Sequence, residues 1–389
     1  MRVLCSCVPA TSRFQVLAPL ARALADMGNE IAFVTPAQFQ CEVSAAGFET
    51  LVAGLSLSEL RAAASACDPG LSPDQQAALM FIRIAPLALR QELLPLAEAW
   101  RPDVILHEEG EYGGPLIGAL IGVPTVVIGW PVPLRLPAVL RRLDAALAET
   151  WTAAGLTPSP LAGLYDQLFL DTCPPSLQSA HAAAITTRQP LRPMLDTARS
   201  GDLPASVLRR IPGVPTVHLT FGTVLSLEGR TLNIVQQTVE ALRGESIRLI
   251  VSVGDSNDPK IVGPDSDDLI VVRYLSHRAL LPHCDAVICH GGAGSTIAAL
   301  SHGLPLLIVP RDGASQHRSA FACAQTGAGL TLHDEDISPA AIRKSVRALL
   351  EVDGYRLAAR RVAAEIRSMP DPHLLVPAIE RVARGGRVV

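Results

Sequence analysis

Asp285-Ala-Val-Ile-Cys-His-Gly-Gly-Ala-Gly-Ser-Thr-Ile-Ala-Ala-Leu300 is the stretch on which the fold turns. An apolar run suited to a strand enters a turn with glycines at 291, 292 and 294, and helical spacing follows. Parallel sheets hold ligands at the carboxyl ends of their strands. Glycines let the backbone approach a ligand, and the first turn of a helix offers unbonded N–H groups and the positive end of its dipole. That combination suits a diphosphate. His290 can add a hydrogen bond, and Ser295 or Thr296 a hydroxyl. The glycine spacing is not the G-x-G-x-x-G of a dinucleotide fold, and Ser295 stands where a phosphate-binding loop of the Walker type needs lysine. A tight strand–helix turn without ligand is the plainer alternative.

Outward from this turn, strand-like and helix-like segments alternate along most of the chain. Strands are expected near 2–8, 30–35, 104–107 and 124–128, with helices at 16–27, 37–46 and 111–121. A second series of strands runs from 216 to 309, and helices close the chain. This alternation is the mark of βαβ units and mostly parallel sheets. Between the two series, residues 130–212 are rich in proline. The expected fold is therefore α/β. It has a Rossmann-like N-terminal domain over 1–200 with a linker at about 190–213, a second Rossmann-like domain over 214–370, and a tail, 371–389, that can pack back on the first domain. A cleft would separate the two.

Composition narrows the function. The 389 residues are 49% hydrophobic and 18% charged, with net charge −4. This excludes a disordered chain and gives no bulk attraction to nucleic acid or anionic membranes. No apolar run is long enough for a membrane span, and the start has no signal-peptide pattern, so the cytoplasm is expected. The eight cysteines include no Cys-x-x-Cys and read as buried thiols. Asp265-Ser-Asp267 sits in a polar loop and reads as a solvated turn, so no metal is expected.

The run from His290 to Thr296, followed by His302-Gly-Leu-Pro-Leu-Leu-Ile-Val-Pro310 and Gly313-Ala-Ser-Gln316, resembles the donor motif of family 1 glycosyltransferases. Pro19-Leu-Ala-Arg-Ala-Leu24 and the stretch from Arg101 through Pro115 fit the N-terminal pattern of the same enzymes, so the resemblance covers nearly the whole chain. It is strongest to bacterial enzymes that glycosylate antibiotics and other natural products. The resemblance implies the GT-B fold, inverting transfer without metal or other cofactor, a nucleotide-sugar donor and a small hydrophobic aglycone as acceptor; a homodimer is open. It implies that His290, Ser295 and the backbone at Gly292 and Gly294 hold the diphosphate. Gly222 and Thr223 would lie against phosphates and sugar, and Tyr274 and Leu275 would frame the base. Ala298 stands where plant relatives carry a glutamate that grips the ribose hydroxyls, and its loss favours a TDP-sugar over a UDP-sugar, since deoxythymidine lacks the 2′-hydroxyl.

Two departures bear on chemistry. The family's Asp-Gln pair for sugar hydroxyls reads Ser315-Gln316, which fits a deoxysugar with fewer hydroxyls to bind. More seriously, the family's catalytic histidine aligns with Arg13, and a guanidinium stays protonated and cannot act as base. Glu108 falls at the family's histidine-orienting carboxylate, with Glu109 and Glu111 near it, and is a candidate base. Alternatively, the acceptor is acidic enough to need little help, with Arg13 stabilising its anion. A third reading is a non-catalytic or helper protein that binds a nucleotide or a partner enzyme. Segments 55–85 and 130–190 are expected to line the acceptor pocket.

Overall fold

The computed structural model describes residues 1–194, 203–222, 229–254, 257–264, 266–311 and 313–386. Short, mostly continuous apolar runs along the first half build strands β1 (Arg2–Ser6), β2 (Glu30–Thr35), β3 (Glu49–Val52), β4 (Val104–Glu108), β5 (Thr125–Ile128), β6 (Phe169–Asp171) and the edge strand β7 (Arg188–Pro190). They form one parallel sheet in the order β3-β2-β1-β4-β5-β6-β7. The second half supplies β8 (Thr216–Thr220), β9 (Arg248–Ser252), β10 (Leu269–Val272), β11 (Ala286–Cys289), β12 (Leu306–Ile308) and β13 (Gly329–Thr331). These form a parallel sheet in the order β10-β9-β8-β11-β12-β13. Both sheets are covered by helices on both faces, as buried parallel strands require. Successive side chains of β1 show the division: Val3 and Cys5 enter one core cluster, and Leu4 enters the cluster on the opposite face.

In each sheet the strand order reverses direction once, between β1 and β4 and between β8 and β11. Crossover connections leave toward opposite faces on either side of that point, which opens a crevice at the carboxyl ends of the strands. The residues at and just beyond the carboxyl ends of β1, β4, β8 and β11 therefore line the crevices. They include Arg13, Glu108, Gly222 and His290.

The first helix spans Thr11–Asp26, starting five residues before the expected Val16. Its apolar stripe begins with Phe14 and continues through Leu17, Leu20, Ala21 and Leu24, all buried. The Thr11 hydroxyl donates to Glu42 at 3.0 Å and fixes its start. Arg13 therefore lies in a helical first turn, rather than at the end of the first strand.

The last helix, Pro372–Ala383, does not stay with the second sheet. Leu375, Val376, Ile379 and Val382 are buried in the core cluster of the first sheet, against residues of the first helix and of β1 and β4. The chain thus crosses between halves twice. The two crossings meet: the Arg192 amide donates to the Pro370 carbonyl at 2.8 Å, and the Arg192 guanidinium lies 3.4 Å from Asp371. No described helix is long and apolar enough to cross a membrane.

Candidate active site

In the second half, β11 ends at Cys289 and the helix Ala293–Ser301 begins with Gly292 as its N-cap, with no side chain satisfying its first amides. These N–H groups are the orphan donors every helix start leaves. A Cβ added at Gly294 would meet nothing within 4 Å, so the helix start faces open space. His290 is buried, stacks on Phe221 with centroids 6.1 Å apart, and has an unpartnered Nδ1. Gly222 crosses in front of it with φ +79°, and a Cβ there would stand 2.9 Å from His290 Cε1. A side chain at Gly292 would also strike the ring. Glycine at both positions is thus what lets two loops close on one imidazole. Burial pushes the His290 pKa down to about 4, so the ring is neutral and donates through a single N–H. Ser295 is buried at the same helix start. Thr223 lies outside the described residues.

Ser315 and Gln316 open the helix Ala314–Thr326. The Gln316 side-chain oxygen accepts the Arg311 amide at 2.6 Å, which leaves its NH₂ group as the end that can meet a ligand. Arg311 is buried and paired with Asp334 at 2.5 Å. Tyr274 and Leu275 follow β10 on the same edge of the sheet. Leu275 turns into the core beside Ile297, so only its backbone can frame a base. Of the Asp265-Ser-Asp267 loop, Asp265 is outside the described residues, and exposed Asp267 pairs with Arg209 at 3.1 Å.

In the first half, Arg13 lies flat over Trp130, its guanidinium carbon 3.4 Å from the ring centroid. Arg135 lies over the same ring at 5.4 Å. Trp130 donates its indole N–H to Glu108. Glu108 is fully buried and also accepts the amides of Gly110 at 2.7 Å and Val8 at 3.4 Å. The expectation that Glu108 serves as base does not fit this geometry, because its oxygens are turned to N–H donors and closed to solvent. Glu109 is buried in an ion pair with Arg135. Glu111 accepts the amides of Gly113 at 2.5 Å and Gly114 at 2.9 Å and caps the helix Gly113–Ile121. Its burial raises its pKa to about 7, with those amides opposing the rise. His107 donates from Nδ1 to the carbonyls of Glu108 and Glu111, and burial holds its pKa down to about 4.

Beside these groups opens a pocket of about 450 Å³ including its mouth, with apolar walls from Leu55, Leu60, Phe81 and Leu89 and a polar side at Ser6, Cys7 and Glu111. The 55–85 segment supplies Leu55, Leu60, Phe81 and Ala85 to this pocket. The 130–190 segment supplies no lining residue; instead its Trp130 packs behind Gly110, where a Cβ would come 3.0 Å from the ring's Cη2. The loop carrying Trp130 and Arg135 is pinned from the far side. Gln178 accepts the Leu134 amide at 2.7 Å, and His181 Nε2 sits 2.6 Å from the Arg135 carbonyl. Arg318, on the helix of Ser315 in the second half, lies within electrostatic reach of Arg135 and Glu109 of the first. Sequence reading missed the Trp130 anchor and the Arg135–Glu109 pair. Their only trace is a tryptophan and an arginine in a proline-rich loop after β5.

Known proteins resemble this chain over nearly its whole length. Residues 244–382 match the family described as erythromycin biosynthesis protein CIII-like, C-terminal domain. The chain is 31% identical to elloramycin glycosyltransferase ElmGT of Streptomyces olivaceus, over 96% of this chain and 95% of that one. It is 28% identical to TDP-daunosamine transferase DnrS of Streptomyces peucetius, over 98% and 97% of the two chains. The spinosyn rhamnosyltransferase SpnG complexed with thymidine diphosphate superposes with TM-score 0.81 at 26% identity, covering 98% of this chain and all of that one, 100%.

Proposed function

We propose, from the fact that this chain belongs to the GT-B glycosyltransferases of antibiotic biosynthesis and is itself a glycosyltransferase, that it moves a deoxysugar from a TDP-sugar to a small apolar aglycone with inversion at the anomeric carbon. The observation that carries this reading is the convergence of Gly222, His290 and Gly292 on the open start of the helix Ala293–Ser301. The diphosphate would accept the free amides and the His290 N–H. As the bond between anomeric carbon and diphosphate breaks, the growing negative charge meets donors already in place, and little reorganisation is needed. The acceptor would enter from the pocket of the first half and attack from the face opposite the diphosphate. No metal is needed in this scheme, since helix start and imidazole take up the leaving charge. Ser315 in place of a carboxylate, with the Gln316 amide beside it, supports a sugar with few hydroxyls to grip.

Calorimetry with TDP and UDP tests the reading. TDP should bind, more tightly than UDP, with affinity unaltered by EDTA, and His290→Ala should weaken it. Failure of the wild-type protein to bind either diphosphate would remove the donor site and the function with it.

A further inference from the structure

Transfer to a hydroxyl group requires that its proton go somewhere, and each carboxylate described on the acceptor side of the cleft already accepts N–H donors or pairs with a cation. Glu108 is committed to Trp130, Gly110 and Val8, Glu109 to Arg135, and Glu111 to Gly113 and Gly114. His107 binds backbone carbonyls through Nδ1, and its unpartnered Nε2 is closed off from the cleft by full burial. What the cleft does present is a cation. The Arg13 guanidinium makes no hydrogen bond or ion pair with any described residue, yet it is held in one place by the face of Trp130. Stacking on an aromatic face satisfies the flat side of a guanidinium and leaves its in-plane N–H donors free. Arg13 feels Glu108 first, then Arg135, Glu109 and Cys7, and it sits behind the pocket wall, where Trp130 packs on Gly110 and Cys7 and Gly110 line the pocket.

We propose that Arg13 is an anion-binding group for the acceptor oxygen, and that the acceptors of this enzyme are flat aryl or enol hydroxyls acidic enough to bind as their conjugate bases. This rests on the transferase reading above. The acceptor's proton is lost to solvent. The aryl oxygen then forms its bond to the anomeric carbon as the carbon–oxygen bond to the diphosphate breaks, and the diphosphate leaves with the electron pair. Arg13 holds the oxyanion against the pocket and takes no proton at any step. Trp130 is a positioning residue that fixes the guanidinium plane, and Glu108 in turn fixes the indole.

Absorbance titration of 4-nitrophenol, whose anion is coloured and whose proton leaves near neutral pH, tests this on the protein saturated with TDP. A cation within a few ångströms should lower the phenol's pKa on binding by about 1–2 pH units, equivalent to about 10- to 100-fold tighter binding of the anion. Arg13→Gln should return the bound phenol to its free pKa while TDP affinity stays unchanged. Arg13→Lys should keep part of the effect, because the charge remains and the stacked fork does not. Trp130→Phe should reduce it without abolishing it. An unshifted titration in the wild type, or an unchanged one in Arg13→Gln, overturns the proposal. So does a loss of TDP affinity in Arg13→Gln with anion preference intact, which would move Arg13 to the donor. Absence of TDP binding in the wild type would instead sink the underlying transferase reading.

Discussion

Gly222 and His290 occupy each other's space: the imidazole stands where a side chain at 222 would have to go, 2.9 Å from the position of its Cβ. The loop after β8 and the loop after β11 can meet only because one of them lacks a side chain.

Substitution of that glycine should therefore act on ligand and stability together. Gly222→Ala imposes φ +79° on an L-residue and presses on His290. A loss of about 1–2 kcal/mol in unfolding free energy is expected from the backbone alone, with TDP binding weakened about tenfold or more. Urea melts and calorimetry on the same preparation check both. A variant as stable as wild type with unchanged TDP affinity would mean the loop is not constrained as described.

His290→Ala removes a single N–H donor to a charged oxygen. The expected loss in TDP binding is about 1–3 kcal/mol, the range for hydrogen bonds to charged groups. Because the ring is neutral at pH 7, the loss should change little between pH 7 and 8. An unaltered dissociation constant would take His290 out of the site.

Glu108→Gln separates an anchoring role from a catalytic one. The amide replaces one acceptor oxygen with an NH₂ that faces N–H donors in a fully buried place. Stability should fall by about 1–3 kcal/mol, and the fluorescence of Trp130 should shift as its indole is released. TDP affinity should hold. Wild-type stability with a collapsed kcat would instead restore Glu108 as the base.

Stability should also depend on pH in a defined window. His107 and His290 have pKa values pushed down to about 4 from 6.5 by burial, so the unfolded chain binds more protons than the folded one between those values. Their contribution is complete above pH 6.5 and is lost as pH falls toward 4. Glu111 works in the opposite sense. Its pKa is raised to about 7 from 4.5, so its contribution is present below pH 4.5 and fades as pH rises through 7. Thermal melts should show Glu111→Gln flatter than wild type from pH 6 to 8, and both proteins falling steeply below pH 6. A wild-type melting temperature level from pH 6.5 down to 4 would contradict the buried neutral histidines.

How much of this could be read from the chain depends on how local each feature is. The glycine-rich turn was legible because strand, glycines, His290 and helix start are contiguous, and their order alone dictates where amides point. The alternation of elements likewise revealed two parallel sheets, though not the early start of the first helix at Thr11, where Pro9 and the polar Ser12-Arg13 pair mimic a turn. The acceptor side was only half legible. Arg13 stood out as a residue that cannot be a base, but its partner Trp130 comes from a distant loop that no local pattern ties to it. Glu108 resembled a base for the same reason: the N–H groups that occupy it come from Val8 and Trp130, far from it along the chain.

The closing helix offers a test of the assembly. Ile379 is fully buried in the core of the first half, although it belongs to the end of the chain. Ile379→Ala should cost about 2–5 kcal/mol, and the loss should appear in melts of the whole chain. A change below 0.5 kcal/mol, the scale of ordinary surface substitutions, would place this helix outside the core.

The meeting of the two crossings at Arg192 and Pro370 limits how the enzyme can breathe. Two chain segments bonded to each other at one spot leave rotation about it as the expected motion of the halves, since sliding one past the other would break the Arg192 contacts. Substrate entry and product escape should therefore follow a single angular coordinate, widest at the rim farthest from the pivot.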